Sequence, residues 1–182
     1  MSGRLPHGVE LRELTPHADD RGVFTELYRE EWGVGADPIQ WNAVRSKAGV
    51  LRGVHVHPVH DDYLTVPIGR VLFGLCDLRP DSPTYRLSTT VEIAEDSQKS
   101  LMIPHGVAHG FYFVEDSIHV YAVSHYWNLA DELGCRWDDP ALGIEWSDPS
   151  PQISQRDADL QTLSELIEEL AAHYDSRLSD SN

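Results

Sequence analysis

The chain is poor in cysteine, in basic side chains and in long apolar runs. Cys76 and Cys135 are its only two cysteines in 182 residues. They form no CxxC motif and no disulfide framework, so a reducing cytoplasm is the natural compartment. Fourteen Lys and Arg face thirty Asp and Glu, a formal charge of −16. That field repels polyanions and argues against nucleic acid as a partner. A phosphorylated ligand would need a local basic cluster working against the global sign, and the plainest use of the acidity is solubility. No window reaches the run of about 18 apolar residues that a membrane helix requires. The opening MSGRLPHGVELREL lacks the apolar core of a secretory signal. No glycine-rich loop opens a helix, which disfavours dinucleotide and P-loop folds.

What remains reads as strands. Thirteen Gly and eleven Pro are scattered singly, as turns require. Val50 to Val56 alternates apolar and polar, and Gly69 to Leu78 is a β-rich run ended by the turn signal RPDSP. TYRLSTTVEIA, SLMIP, HGFYFV and SIHVYAVSHYW follow. Regular short strands broken by Gly, Pro and Asp predict an all-β sandwich or barrel. The length suits one domain over 1–182, with its core at about 9–150. The tail changes period. Leu160, Leu163, Ile167 and Leu170 share one face of a helix predicted over 157–174, capped by Ser154 or Asp157 and frayed after it.

Ten histidines are many for this length. His55 and His57 alternate with Val56 and so share one strand face. They stand in Gly49-VLRGV-His55-Val-His57-PVHD-Asp62-YLTVPI-Gly69, and a second segment reads Pro104-His-Gly106-Val-Ala-His109. The two segments match the bipartite cupin pattern G-x5-HxH-x4-E-x6-G followed by PxGxxH. Asp62 replaces the usual glutamate, and Phe113 stands where asparagine is frequent. Two histidines on one strand, a carboxylate after a turn and a third histidine opposite make a three-His, one-carboxylate cage for a divalent metal ion. His57 reads equally as a ligand or as a substrate contact. His7, His17, His60, His105 and His119 read as surface or satisfied core residues.

Further motifs are DxRGxFxE at Asp19 to Glu26, QxN at Gln40 to Asn42, and GVLRGxH at Gly49 to His55. DLRPDSPTY starts at Asp77, IPxGxAHGF at Ile103 and WDDPxLGIEW at Trp137, with SxxD at Ser154 to Asp157. With these in order, the chain from about Arg21 to Asp157 resembles the dTDP-4-dehydrorhamnose 3,5-epimerases. The resemblance implies a cupin-type jelly roll with a C-terminal helix, a homodimer with pocket residues crossing between subunits, a nucleotide-sugar substrate and no cofactor. It implies His55 as base, Asp157 as its orienting carboxylate and Tyr121 as the opposing acid, with Tyr126 as fallback because the intervening loop is one residue short. Arg21, Glu26, Gln40, Asn42, Arg52, His57, His109 and Glu132 would contact substrate or shape its pocket. Trp41 inside QxN could stack on a base or sugar or pack in the core; Tyr121, Tyr126 and Trp127, in the run from Tyr121 to Trp127, could equally be core or edge packing.

The chemistry asks for these residue types. A C4 ketone acidifies the protons at C3 and C5, and a neutral imidazole is a competent base near pH 7. A carboxylate fixes its tautomer, and a phenol stays protonated until the enolate needs it. Arg21 and Arg52 could meet a diphosphate, whereas Arg45 reads as a surface charge. Two departures stand out. Asp62 occupies the place of the lysine that the family sets near the C4 oxygen, and His57 replaces a glutamine. Three readings follow: an epimerase in which His57 or His60 takes over from the lysine, acting at C3 and C5 or at C3 alone; a metal enzyme using His55, His57, Asp62 and His109; or a non-catalytic sugar-nucleotide binder. A metal on His55 would deny it the role of free base, so the first two exclude one another.

Overall fold

The alternating apolar pattern closes into two facing sheets in the computed structural model, which describes residues 3–34, 38–126, 128 and 132–180. One sheet runs β1 (Glu10–Glu13), β9 (Lys99–Ile103), β6 (Asp62–Ile68), β11 (Ser117–Val123) and β4 (Gln40–Ser46). The other runs β12 (Leu133–Gly134), β5 (Leu51–Val56), β10 (Val107–Phe113), β7 (Arg70–Asp77) and β8 (Ser88–Ala94). A separate hairpin pairs β2 (Pro16–Asp19) with β3 (Gly22–Thr25). Every pairing between named strands is antiparallel. This is the expected all-β jelly roll.

Leu64, Phe73, Leu75, Ile93, Leu101 and Phe113 fill the space between the sheets and are fully buried or nearly so. Each contributes roughly 1.5–3 kcal/mol through removal from water. Two glycines are required by close approach. Gly53 has φ +105°, and a Cβ there would lie 2.8 Å from the His109 carbonyl oxygen. Gly69 has φ +84°, and its Cβ would come within 2.6 Å of the Asp116 carbonyl oxygen. Both positions tie β5 or β6 tightly to a neighbouring segment.

The tail departs from the predicted single helix. It divides into α1 (Gln155–Ala158) and α2 (Leu163–Asp180). Ser154 caps α1 as expected, its Oγ accepting from the Asp157 N–H at 3.1 Å. Thr162 and Glu165 form a second start signal, because the Glu165 carboxylate accepts from both the Thr162 N–H and its hydroxyl. That TxxE box interrupts the periodicity. The buried face of α2 is Leu163, Leu166 and Leu170, packed with Leu142 of the Pro140–Leu142 turn over Val54 and Cys76 on the outer face of the second sheet. Leu160 precedes α2, and the helical backbone continues through Asp180 where fraying was predicted. The predicted strand over Thr84 to Ala94 begins only at Ser88, because Thr84 to Leu87 turn with Arg86 at φ 66°. Trp127 lies outside the described residues. Among the described residues, no helix is long and apolar enough to cross a membrane.

Candidate active site

The period-two geometry of β5 sends His55 and His57 toward one face, and antiparallel pairing with β10 sets His109 directly opposite His55. β11 adds Tyr121, and β6 adds Asp62 at its first position. These side chains line a cavity of about 320 Å³ between the sheets, which Arg52, Glu132 and Asp157 also reach. Residues spread from position 52 to position 157 therefore meet at one end of the sandwich.

His55 is anchored by Asp157. Its Nε2 lies 2.8 Å from Asp157 Oδ1, and its Nδ1 lies 3.9 Å from a Glu132 oxygen. Asp157 is nearly buried, at 4% exposure. Burial pushes its carboxyl upward, but hydrogen bonds from His55, Ser154 and the Gly53 N–H, with the charge of His55, outweigh that and hold it below the ordinary 3.8. Asp157 is thus an anion at neutral pH, and Nε2–H donates to it. The other ring nitrogen, Nδ1, is left as the basic one.

Tyr121 is half-buried on the cavity wall, stacked beside His119 at 5.8 Å between ring centroids. Burial, then the charges of Asp62 and Glu132, raise its phenol above 10 against the opposing pull of Arg52. It is therefore a proton donor throughout the physiological range. His119 is buried beside Phe111 and Phe113. Burial, with Arg52 nearby, lowers it to about 4, so it is a neutral part of the wall. Arg52 reaches the cavity with Nε donating to Ser46 Oγ at 3.1 Å. Arg156, not among the sequence-derived candidates, also lines the cavity and lies 3.4 Å from Glu132. It stands inside the SxxD motif beside Asp157, and α1 turns it to the cavity.

The other candidates divide. Gln40 and Asn42 sit on alternate positions of β4, facing the same way as Val44 of the cavity wall, with Gln40 Nε2 donating to Asn42 Oδ1 at 3.0 Å. Trp41 points the other way, against Tyr28 and Tyr63. Arg21 is not at this chain's cavity. Its side chain is 85% exposed on the β2–β3 hairpin and paired with Asp19. Glu26 is paired with Arg29, also away from the cavity. Tyr126, the fallback candidate, is 73% exposed and does not line the cavity, whereas Tyr121 does.

The alternative metal set of His55, His57, Asp62 and His109 lines one cavity, but its members are not drawn together around one point. His55 turns its Nε2 to Asp157 instead. Among the described residues, His57, His60 and Asp62 bring one ligand atom each within 4.8 Å of the others, all three residues buried. His60, read from sequence as an ordinary histidine, is only 2% exposed and stacks on His57 at 3.9 Å. The turn after Pro58 folds it back under β5, an effect of chain direction that spacing alone does not reveal. Burial, then the charges of Glu132 and Asp61, push the Asp62 carboxyl well above its ordinary value. His109 is buried, its Nδ1 donating to the Val107 carbonyl at 3.0 Å, and burial lowers it to about 3.

A cupin-type jelly roll thus holds a His–Asp pair and a phenol in one cavity, and comparison with known proteins places the chain among carbohydrate epimerases. Residues 6–165 match the sequence profile of dTDP-4-dehydrorhamnose 3,5-epimerase, and the chain belongs to that family of isomerases. It is similar to the dTDP-4-dehydrorhamnose 3,5-epimerase of Streptomyces griseus, 37% identical over 169 residues, covering 87% of this chain and 84% of that one. It is also similar to the dTDP-4-dehydrorhamnose 3-epimerase of Streptomyces niveus, 34% identical over 88% of this chain and 83% of that protein. Among solved structures it resembles NovW, a 4-keto-6-deoxy sugar epimerase from the novobiocin gene cluster of Streptomyces spheroides. There the TM-score is 0.84 at 30% identity, covering 92% of this chain and 89% of the other.

Proposed function

We propose that the protein epimerises a dTDP-linked 4-keto-6-deoxysugar by moving a proton alpha to the C4 ketone. The observation that carries this reading is the His55–Asp157 hydrogen bond at 2.8 Å in the same cavity as Tyr121. His55 Nδ1 removes the proton, the electron pair passes into the C4 carbonyl as an enolate, and Asp157 holds the resulting imidazolium. Tyr121 returns a proton to the opposite face of the same carbon, which inverts it. No organic cofactor is needed for these transfers. Arg52 and Arg156 line the cavity and offer positive charge to a diphosphate.

Arg21 and Glu26 support a second element of the proposal. They stand on a hairpin whose Val23 and Phe24 are 62% and 64% exposed, and neither lines this chain's own cavity. In a homodimer the hairpin would carry Arg21 to the partner's cavity. The free, buried thiols of Cys76 and Cys135 agree with residence in the cytoplasm.

The test is solvent exchange. With dTDP-4-keto-6-deoxyglucose in D2O, the protein should introduce deuterium at C3, C5 or both, read by proton NMR, and the labelled position identifies the epimerised centre. His55→Ala should abolish the exchange. Binding of the nucleotide sugar with no label entering either carbon would make the protein a binder and overturn the enzymatic reading.

A further inference from the structure

We infer that His57, His60 and Asp62 form a binding site for a first-row divalent transition ion, separate from the His55–Asp157 pair. Three buried ligand atoms lie within 4.8 Å of one another. The separations around them are the second observation. His57 Nε2 is 3.6 Å and His109 Nε2 is 3.7 Å from the same Asp62 oxygen, Oδ2. Both exceed the 2.7–3.2 Å usual for N–H···O hydrogen bonds. Ligand atoms held about 2.0–2.2 Å from one ion stand roughly 3.0–3.6 Å apart, so the His57–Asp62 separation of 3.6 Å already suits an ion, with His60 closing on it from within 4.8 Å.

Orientation points the same way. His109 donates Nδ1–H to the Val107 carbonyl, so Nε2 carries the lone pair and aims it toward the Asp62 carboxylate. A metal-ligating histidine is held by this kind of backbone bond. On the far side of His57, Glu132 Oε1 lies 3.5 Å from Nδ1, a charge contact longer than a hydrogen bond. Imidazole nitrogens with one carboxylate suit manganese, iron, nickel or zinc better than magnesium or calcium. Because His55 is not among the ligands, metal binding and a free base are compatible here; the exclusion drawn from sequence applied to a metal on His55. The role assigned to the ion rests on the epimerase reading. It would offset negative charge developing on the C4 oxygen, beside the base.

The test begins without substrate. Chelator-treated full-length protein is loaded separately with Mn2+, Fe2+, Ni2+ or Zn2+, passed through gel filtration and assayed by mass spectrometry for metal content. About one ion per chain should remain with at least one of the four metals. His57→Ala, His60→Ala and Asp62→Asn should each lower that content at least tenfold, while His55→Ala and His7→Ala retain it. If a variant fails to fold, X-ray absorption of the nickel-loaded wild type decides, since at least two imidazoles should appear in the metal shell. Retention by His60→Ala, an oxygen-only shell, or no retained ion with any metal overturns the site. Loss of solvent exchange by about 10²-fold on chelation, restored by the ion, supports the charge-offsetting role; unchanged exchange in ion-free protein overturns that role. Metal content is read independently of turnover, so failure of the epimerase reading and failure of this one are distinguishable.

Discussion

His55 Nε2 and Asp157 Oδ1, 102 positions apart in sequence, meet at 2.8 Å where β5 passes the four-residue helix α1. The bond fixes which imidazole nitrogen is basic, and most of the functional expectations descend from it.

Asp157→Asn keeps the size of the side chain but removes its charge. The neutral amide can stabilise neither the imidazolium nor the required tautomer. Exchange rates should fall by about 10²- to 10⁴-fold, with an unchanged circular dichroism spectrum. A variant as fast as wild type would remove Asp157 from the machinery.

Tyr121→Phe separates the two halves of the reaction. His55 can still take and return a proton on its own face, so deuterium should enter with retention while inversion drops by about 10²-fold or more. Tyr126→Phe should leave both unchanged, since that phenol stands in solvent, 73% exposed. NMR of the product distinguishes label from inversion. The assignment fails if the two variants behave alike.

Arg21→Ala addresses the hairpin. If Arg21 serves the partner's cavity, KM should rise about tenfold, equivalent to about 1.4 kcal/mol, with kcat little changed. Mixed dimers of Arg21→Ala and His55→Ala chains should then contain one cavity with both residues intact and recover activity. Sedimentation as a monomer under assay conditions would end this account.

Asp77 predicts an acid limit on stability. Burial acts to raise its carboxyl, but Arg79, Ser82 and Thr84 outweigh it and hold it at about 2, against an ordinary 3.8. The unfolded chain therefore takes up the proton first as pH falls. This contribution is complete above about pH 4 and is lost toward pH 2. Urea midpoints should decline across that window in the wild type. Asp77→Asn should be less stable at pH 7 and show a shallower decline; equal slopes would contradict the assignment.

Leu166→Ala tests how far α2 supports the second sheet. The side chain is fully buried against the sheet's outer face. Its truncation should cost about 2–5 kcal/mol in chemical denaturation. A loss under 1 kcal/mol would mean that α2 is not a structural part of the sandwich.

Much of this protein is written in local pattern. Period-two alternation around Val50 to Val56 fixes a strand that presents His55 and His57 together, and the spaced glycines at 53 and 69 mark where backbones must crowd. Ordered motifs from Asp19 to Asp157 were enough to identify the family and nominate the base, its carboxylate and the phenol. Local pattern failed where geometry depends on packing at a distance. The TxxE box at Thr162 split one apparent helix in two, because capping competed with periodicity and prevailed. Arg21 and His109 looked alike as motif residues, yet only the second reaches this chain's cavity, since hairpin direction is set by tertiary contacts. His60 looked ordinary because its spacing matches no ligand motif, and only the return of the chain into β6 buries it against His57. Sequence alone thus determined the fold, the family and the chemical types present. Tertiary structure decided which imidazole pairs with Asp157 and which ones face Asp62, because those choices depend on side-chain directions that converge from strands far apart in the chain.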